Sequence, residues 1–232
     1  MQVIASPEKR LSDALLSQGA KMIYRAGTVF FNEHEEAHRA FYLEKGVVKF
    51  TLFNRNGCER TLCFTGAGTM VGEFGLVGYS AGNFLDTTYG ATAIAVVECE
   101  AVMFTKDQFI RLMREDSDFA LLCSISLREK LLWMVEHYSA VCFHDQFGKV
   151  ARGLLLLARR LGEPVLLPAK NGRQAASGVR LRISHQELAD FTDTSRVTVT
   201  NVLGMFAANN VIEKRPKEII VLNIEALERW TM

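Results

Sequence analysis

Amide, hydroxyl and guanidinium side chains lie close together between positions 184 and 201, and groups of these types can hydrogen-bond to base edges and phosphates. Asn can pair with adenine through two hydrogen bonds, Thr offers a hydroxyl and a methyl group to thymine, and Arg can bind a base or a phosphate. Polar residues at helix starts are further phosphate ligands, since backbone N–H groups point outward there. The candidates for DNA contact in this stretch are Ser184, Gln186, Ser195, Arg196, Thr198, Thr200 and Asn201.

Two short predicted helices position these side chains. Ser184 and Glu187 have the spacing of a capping box, in which each side chain accepts a hydrogen bond from the other residue's backbone. Ser195 is the expected N-cap of the second helix. Asp193 stands in the turn between the helices, where a positive φ is usual and Asp tolerates it. Together these features predict a helix-turn-helix whose second helix enters a major groove. An ordinary solvated polar face is the alternative.

A predicted hairpin follows the second helix. Two apolar runs near Val211 and Ile219 flank the basic sequence Lys214-Arg215-Pro216-Lys217. Because a basic hairpin tip suits the DNA backbone, Lys214 and Arg215 join the DNA-binding candidates. The hairpin is the expected wing of a winged helix-turn-helix.

The charge distribution favours a polyanion-binding module in the C-terminal part. The 232 residues carry a formal net charge of only +1. From Gln146 onward, however, there are 13 Lys and Arg against 8 Asp and Glu, and before it there are 14 against 18. A basic part joined to an acidic one indicates a nucleic-acid-binding module attached to another domain.

Short β-rich runs separated by glycines occupy residues 21–105. The runs VVKFTLF and RTLCF, for example, are separated by an Asn56-Gly57 turn. Alternating segments between such turns are typical of antiparallel strands, and no helical pattern long enough for a βαβ crossover intervenes. We therefore predict a compact antiparallel β-roll.

One long helix is predicted over residues 118–143, which contain neither Gly nor Pro. Alternating steps of three and four give the a and d pattern of a coiled coil at Ala120, Ser124, Leu127, Leu131, Met134, Tyr138 and Val141. The predicted homodimer contacts are Leu127, Leu131, Met134, Tyr138 and Val141. A second apolar face, expected to pack on the β-roll, comprises Leu121, Leu122, Ile125, Leu132, Trp133 and Val135. A helix that packs only in its own domain is the alternative.

These segments predict an α+β chain in three parts. A β-roll of the cyclic-nucleotide-binding-like jelly-roll type occupies residues 1–115, a dimerisation helix residues 116–144, and a winged helix-turn-helix residues 145–232. Asp145 is the expected N-cap of the next helix, which leaves a hinge of one or two residues at His144 and Asp145. Rotation of the long helices would re-aim whatever follows so short a hinge.

The chain resembles the Crp/Fnr superfamily of bacterial transcription regulators over nearly its whole length. The resemblance is carried by Gly72-Glu73-Phe74-Gly75-Leu76, by Phe143 with Asp145, and by the segment SHQELADFTDTSRVTVTNVL from Ser184. It implies a homodimer on a palindromic operator of double-stranded DNA, RNA polymerase as a further partner, and a small-molecule effector between roll and long helix. Asn201 stands where many relatives place a guanine-reading Arg, so an A·T-rich half-site is expected.

The expected effector site comprises Gly72, Glu73, Tyr89, Gly90, Lys130 and Met134. Members that bind cyclic nucleotides carry an Arg-Ser pair for the phosphate, and the matching positions here are Tyr89 and Gly90. Because a buried phosphate needs a cation, cyclic AMP is disfavoured. Tyr89-Gly-Ala-Thr-Ala is similar to the halorespiration branch, which senses chlorinated phenolic acids.

In that branch a Lys of the long helix and Tyr residues of the roll hold a phenolate, and Lys130 and Tyr89 occupy the comparable positions. We therefore expect the two to flank an apolar pocket for a small anionic or aromatic molecule. A cyclic-nucleotide-responsive regulator stays open as an alternative. So does an exposed Lys130 beside the coiled-coil seam.

Other classes of protein find less support in the sequence. A cupin-like metal-binding barrel would use His34, His38 and Glu44, but the later strand histidine that it needs is missing. The first cysteine is Cys58, so an N-terminal iron–sulfur site is not expected, and neither is any other cofactor or metal. The sequence contains no recognisable catalytic triad and no nucleotide-binding loop, so an enzyme is not expected. A charged N-terminus and the lack of an 18-residue apolar run predict a cytoplasmic protein without a membrane span.

Overall fold

The computed structural model describes residues 11–77, 79–80, 83–84, 88–167, 176–216 and 218–231. The chain divides into two compact units, with the division between Met134 and Val135.

The first unit is built from two antiparallel four-stranded sheets. One has the strand order β1-β10-β3-β6 and the other the order β2-β9-β4-β5, and a two-stranded pair is formed by β7 and β8. The strands are β1 (Ala20–Tyr24), β2 (Val29–Phe31), β3 (Arg39–Lys45), β4 (Val47–Phe53), β5 (Glu59–Gly66), β6 (Thr69–Val71), β7 (Tyr79–Ser80), β8 (Asn83–Phe84), β9 (Thr92–Ala95) and β10 (Cys99–Thr105). This arrangement confirms the predicted antiparallel β-roll and the α+β class.

Aromatic side chains fill the interior of the roll. The rings of Tyr24 and Phe30 are stacked with centroids 4.0 Å apart, and Phe41 meets both edge-on. The predicted turn at Asn56-Gly57 joins β4 to β5, and Gly57 has the positive φ of 75° that such turns require. A short 3-10 helix, Glu73–Gly75, follows β6.

Helices lead into and out of the roll. α1 (Asp13–Leu16) precedes β1, and α2 (Lys106–Glu115) follows β10 behind a capping box of Thr105 and Gln108. α3 (Ser117–Phe143) is the long helix, 27 residues in length, and its start lies one residue before the predicted one.

α3 has a buried face and an exposed face. The buried face comprises Phe119, Leu122, Cys123, Ser126, Lys130, Trp133 and Ala140. Phe119 meets the rings of Phe104 and Phe109 edge-on, at 5.6 and 5.5 Å between centroids. The exposed large apolar residues of the helix are Leu121, Leu131, Met134, Val135, Tyr138 and Phe143.

This division corrects part of the predicted second apolar face. Leu121 and Val135 were expected to pack on the roll, but both are exposed. Each lies two residues, about 200° of helical rotation, beyond a buried residue of the opposite face, Phe119 or Trp133. Leu122 and Trp133 are buried as expected.

The second unit is a set of helices beside a small sheet of strand order β11-β12-β14-β13. Its elements are α4 (Gln146–Leu161), β11 (Glu163–Leu167), β12 (Ala176–Leu181), α5 (His185–Thr192), α6 (Arg196–Ala208), β13 (Ile212–Arg215), β14 (Glu218–Val221) and α7 (Ile224–Arg229). Asp145 caps α4 by accepting a hydrogen bond from the Gly148 N–H at 2.8 Å, which confirms the predicted N-cap.

The last turns of α3 belong to this second unit. The His137 ring stacks on Phe191 of α5 at 4.7 Å between centroids, and Glu136 pairs with Arg160 of α4 at 3.2 Å. These contacts explain why the units divide inside α3 rather than at the predicted boundary of 144–145. The three-part division of the sequence stays a prediction.

Among the described helices, none is both long enough and apolar enough to cross a membrane.

Candidate nucleic-acid interface and effector site

α5 and α6 form a helix-turn-helix with the predicted caps. The Ser184 hydroxyl accepts from the Glu187 N–H at 3.2 Å, and the Glu187 carboxylate accepts from the Ser184 N–H at 2.8 Å. Ser195 caps α6 by accepting from the Thr198 N–H at 3.0 Å. Asp193, between the helices, has φ 51° and ψ 46°, the left-handed conformation expected of that turn.

The inward faces of the two helices are apolar and close together. The buried side chains are Leu188, Ala189, Phe191, Val199, Val202, Leu203 and Phe206. Gly153 of α4 faces Thr192, and a Cβ added at Gly153 would lie only 2.4 Å from the Thr192 methyl group. α4 therefore supports the helix pair through a contact that tolerates no side chain.

The outward face of α6 carries most of the predicted base-reading residues. Arg196, Thr200 and Asn201 are exposed, whereas Thr198 is half-buried and its hydroxyl lies 2.8 Å from that of Ser195. Val197 is also on this surface and is 70% exposed. Sequence reasoning missed Val197 because valine is normally a core residue, although its spacing to Thr200 and Asn201 places the three on one face.

At the start of α5, the capping box occupies one of the hydrogen-bond donors that were predicted to bind phosphate. The Ser184 N–H is already bonded to Glu187, which leaves the hydroxyl proton as the donor that Ser184 can offer. Gln186 is exposed, and its amide donates to Asp190 at 2.9 Å.

His185, the first residue of α5, contacts α6 and was not among the predicted residues. Its Nδ1 lies 3.0 Å from the Thr200 hydroxyl of α6. Burial, and then the charges of Lys214 and Arg196, lower the pKa of His185 below its usual 6.5. Arg196 of α6 and Lys214 of the hairpin therefore both lie close enough to His185 for their charges to lower its pKa.

The hairpin of β13 and β14 presents the predicted basic residues. Lys214 and Arg215 are both exposed, and Arg215 pairs with Glu213 at 2.8 Å. Lys217, at the tip, lies outside the described residues.

In the first unit, Lys130 of α3 is buried and joins α3 to the roll. Its ammonium donates to the Met70 carbonyl at 2.7 Å, to Glu73 Oε1 at 2.6 Å and to the Ser126 hydroxyl at 2.7 Å. Lys130 is only 7% exposed, so the alternative of an exposed charge is wrong. The Phe50 ring also faces the ammonium, with its centroid 5.5 Å from Nζ, so the surroundings combine three polar partners with an aromatic face.

Glu73 is completely buried, and only one of its oxygens is engaged. Oε1 accepts from Lys130, whereas Oε2 has no hydrogen-bond partner among the described residues. Burial and then the Glu73 charge raise the pKa of the neighbouring Cys123 thiol, so this thiol stays protonated. The pair is thus a buried ionic centre with one unused acceptor.

Tyr89 is buried in the same unit, against the glycines of the Gly72–Leu76 segment. Its ring stacks on Phe31 at 3.7 Å, and its hydroxyl donates to the Arg39 carbonyl at 2.6 Å. A Cβ at Gly72 or Gly75 would approach this ring to 3.3 or 2.8 Å, so both positions need glycine.

The other predicted effector residues differ in their surroundings. Gly90 packs beneath the Phe74 ring, and Met134 is 42% exposed on α3. In the described part of the chain no three His, Cys, Asp or Glu side chains form a group that could hold a metal ion.

Each of the two units matches the model of a known protein family. A family model described as a Crp-like helix-turn-helix domain matches residues 148–230, and one described as a cyclic nucleotide-binding domain matches residues 21–116. The first covers the helix-turn-helix and hairpin, and the second covers the β-roll with α2.

Relatives and solved structures of the same build cover most of the chain. The global nitrogen regulator of Synechocystis sp. is 28% identical over 228 residues, 97% of this chain and 94% of that protein. The cAMP-activated global transcriptional regulator CRP of Escherichia coli is 25% identical over 85% of this chain and 87% of its own. The fold matches a CRP/FNR-family transcriptional regulator from Thermus thermophilus with a TM-score of 0.70, at 20% identity over 91% of this chain and 98% of that one.

These relatives are transcription regulators and not enzymes. The chain therefore belongs to the Crp/Fnr family and is a DNA-binding transcription regulator with an effector-binding domain.

Proposed function

We propose that the chain acts as a homodimer that binds a two-fold-symmetric DNA site in response to a small-molecule effector. The observation that carries this proposal is the exposed apolar face of α3. Leu131 is 61% exposed and Tyr138 71% exposed, on a helix whose opposite face is buried.

A second copy of the chain is the occupant that best fits this face. The exposed residues Leu131, Val135 and Tyr138 follow steps of four and three, the repeat that lets two helices pack side by side. An apolar stripe of this length is costly to leave in water, and a helix of the same sequence matches its length and spacing. The predicted contacts Leu127 and Val141 are half-buried in the single chain and flank the stripe.

In such a dimer, each subunit would present α6 to one half-site. Two recognition helices about 34 Å apart reach successive major grooves on one side of the duplex. Asn201, Thr200 and Val197 would read bases, which favours an A·T-rich half-site, and Arg196, Lys214 and Arg215 would bind the backbone. RNA polymerase is the further partner that this role implies, in the cytoplasm.

Analytical ultracentrifugation and DNA selection test the assembly. The double variant Leu131→Glu/Tyr138→Glu should sediment as a monomer at micromolar concentration, because four charges would face each other across the proposed interface, and operator binding should fall at least about a hundredfold. The matched control is Ile23→Glu, which charges an equally exposed apolar residue of β1. A wild-type monomer that binds its selected DNA with full affinity would refute the proposal.

For the effector, we propose a small anionic or aromatic molecule that binds at Lys130, Glu73 and Tyr89. A carboxylate or phenolate could replace Glu73 as the partner of Lys130, and this exchange would alter a contact that holds α3 to the roll. Coupling of about 1–3 kcal/mol is typical of such switches. The halorespiration branch motivates phenolic acids, and a cyclic nucleotide is the second candidate because the domain model and a cAMP-activated relative both match.

Isothermal titration calorimetry with a halogenated hydroxyphenylacetate and with cyclic AMP separates these two ligands. The proposal expects heat from the phenolic acid, and tighter DNA binding in its presence. Binding of cyclic AMP alone would refute it in favour of the nucleotide.

A further inference from the structure

The pairing of His185 with Thr200 fixes where the proton lies on the imidazole. The Thr200 hydroxyl donates its single proton to the Arg196 carbonyl, 2.9 Å away in the preceding turn. In the contact of 3.0 Å between Thr200 Oγ1 and His185 Nδ1, the hydroxyl must therefore accept. With the Thr200 hydroxyl bonded to the Arg196 carbonyl, the neutral ring carries its proton at Nδ1, and Nε2 is the nitrogen that gains a proton when the ring becomes charged.

Protonation of Nε2 leaves the bond to Thr200 intact, because Nδ1–H donates in both states. The proton therefore adds a positive charge and a second donor without moving the recognition helix. The added charge would stand beside Arg196 of α6 and Lys214 of β13, which already hold the pKa of His185 down. Glu187, the acid of the same helix turn, is engaged with the Ser184 N–H.

A DNA phosphate would reverse this balance. The three groups come from the start of α5, the start of α6 and the hairpin, the elements that a winged helix-turn-helix brings to the backbone. An anion among them compensates both fixed cations and favours a third, as a nearby opposite charge does for any titrating base.

We propose that His185 binds a DNA backbone phosphate as an imidazolium, so that DNA binding takes up a proton at each subunit. The proposal rests on the DNA-contact surface described above. It makes the affinity of the regulator for DNA increase as the pH falls, until His185 is protonated in the free protein as well.

Fluorescence anisotropy of a labelled 30-base-pair duplex, titrated from pH 8.5 to pH 5.5 at constant ionic strength, tests this inference. Both a selected operator and a scrambled duplex are used, since a phosphate contact acts on either. The wild-type Kd should fall by up to about tenfold per pH unit for each proton taken up. His185→Asn, which keeps a donor for Thr200 but cannot be charged, should bind with the wild-type affinity of pH 8.5 at every pH.

Two further variants complete the test. His185→Arg, with a permanent charge, should bind tightly and without pH dependence, and His38→Asn, which removes an exposed histidine of the other unit, should follow the wild type. Calorimetry in buffers of different ionisation enthalpy should show proton uptake by the wild type that is absent in His185→Asn.

The outcomes separate this inference from the surface on which it rests. If Arg196→Ala and Lys214→Ala weaken binding while His185→Asn keeps the wild-type pH dependence, the surface stands and the role of His185 is refuted. A pH-independent wild type refutes it as well. If Arg196→Ala and Lys214→Ala bind normally, the contact surface is wrong and the inference falls with it.

Discussion

Asn201 is exposed on the outward face of α6, near Thr200 and Val197. An asparagine there favours adenine, whereas arginine binds the O6 and N7 acceptors of guanine. We expect Asn201→Arg to shift the preferred base toward G at one position of each half-site, by about 1–3 kcal/mol per contact. Selection from a randomised DNA library measures the shift, and Asn209→Arg, at the exposed end of the same helix, is the control. An unchanged motif would remove Asn201 from the base contacts.

Lys130 and Glu73 form a buried ion pair, so the loss of one partner leaves a charge without compensation. We expect Lys130→Met to lower the free energy of unfolding by about 3–5 kcal/mol, measured by urea titration. Lys45→Met is the matched control, because it breaks an exposed pair with Glu100 and should cost less than about 1 kcal/mol. The double variant Lys130→Met/Glu73→Leu should recover most of the loss. Equal stability of Lys130→Met and the wild type would contradict this account.

At the residue level, the sequence predicted those features that depend on neighbours in the chain. The caps at Asp145, Ser184 and Ser195 are local hydrogen bonds, and all three are present. The site of His185 could not be found in this way, because its partner Thr200 is 15 residues away and the pairing exists only after α5 and α6 have packed. The position of Lys130 depends likewise on Met70 and Glu73, which precede it by 60 and 57 residues in the sequence.

Among the elements, α3 shows why periodicity alone cannot orient a helix. Its apolar residues form two neighbouring stripes along the helix. The sequence does not say which stripe is buried against the rest of the same chain. The buried stripe includes Ser126 and Lys130, polar residues that a hydrophobic pattern counts against burial. They are accommodated because the Ser126 hydroxyl accepts from the Met70 N–H at 3.0 Å and donates to the Met70 carbonyl. Polar partners from the roll, rather than hydrophobicity, therefore set the rotation of the helix there.

The contact between α3 and α5 through His137 predicts a pH-dependent stability. Burial is the main cause that lowers the pKa of His137, Lys149 adds to it, and Asp193 opposes it. A folded-state pKa below 6.5 means that the unfolded chain binds the proton more readily, so the contribution of His137 is complete above pH 6.5 and is lost as the pH falls through the folded pKa. Thermal denaturation at pH 8 and pH 5 should show a larger loss for the wild type than for His137→Phe. Equal losses would show that His137 is not the group responsible.

For the whole molecule, Cys142 offers a direct check of the proposed assembly. Cys142 is exposed one turn after Tyr138, on the same side of α3, so a parallel pair of helices would bring the two Cys142 thiols together. Oxidation by oxygen with copper phenanthroline should join them in a disulfide and give a covalent dimer on a non-reducing gel. Cys142→Ser should abolish the product, and Cys58→Ser, at the other exposed cysteine, should not. A dimer that depends on Cys58 would place the interface elsewhere.

The two units also bear on how the chain can be dissected. Only His144 and Asp145 separate α3 from α4, and the units divide inside α3 itself. Proteases cut where the backbone can unfold locally. Because only two residues lie between the two helices, limited proteolysis should cut poorly there. A fragment starting at Gln146 would lose His137, whose ring stacks on Phe191, and would expose Phe191 to water, so it should aggregate. An isolated DNA-binding fragment will stay soluble only if it begins far enough upstream to include the last two turns of α3.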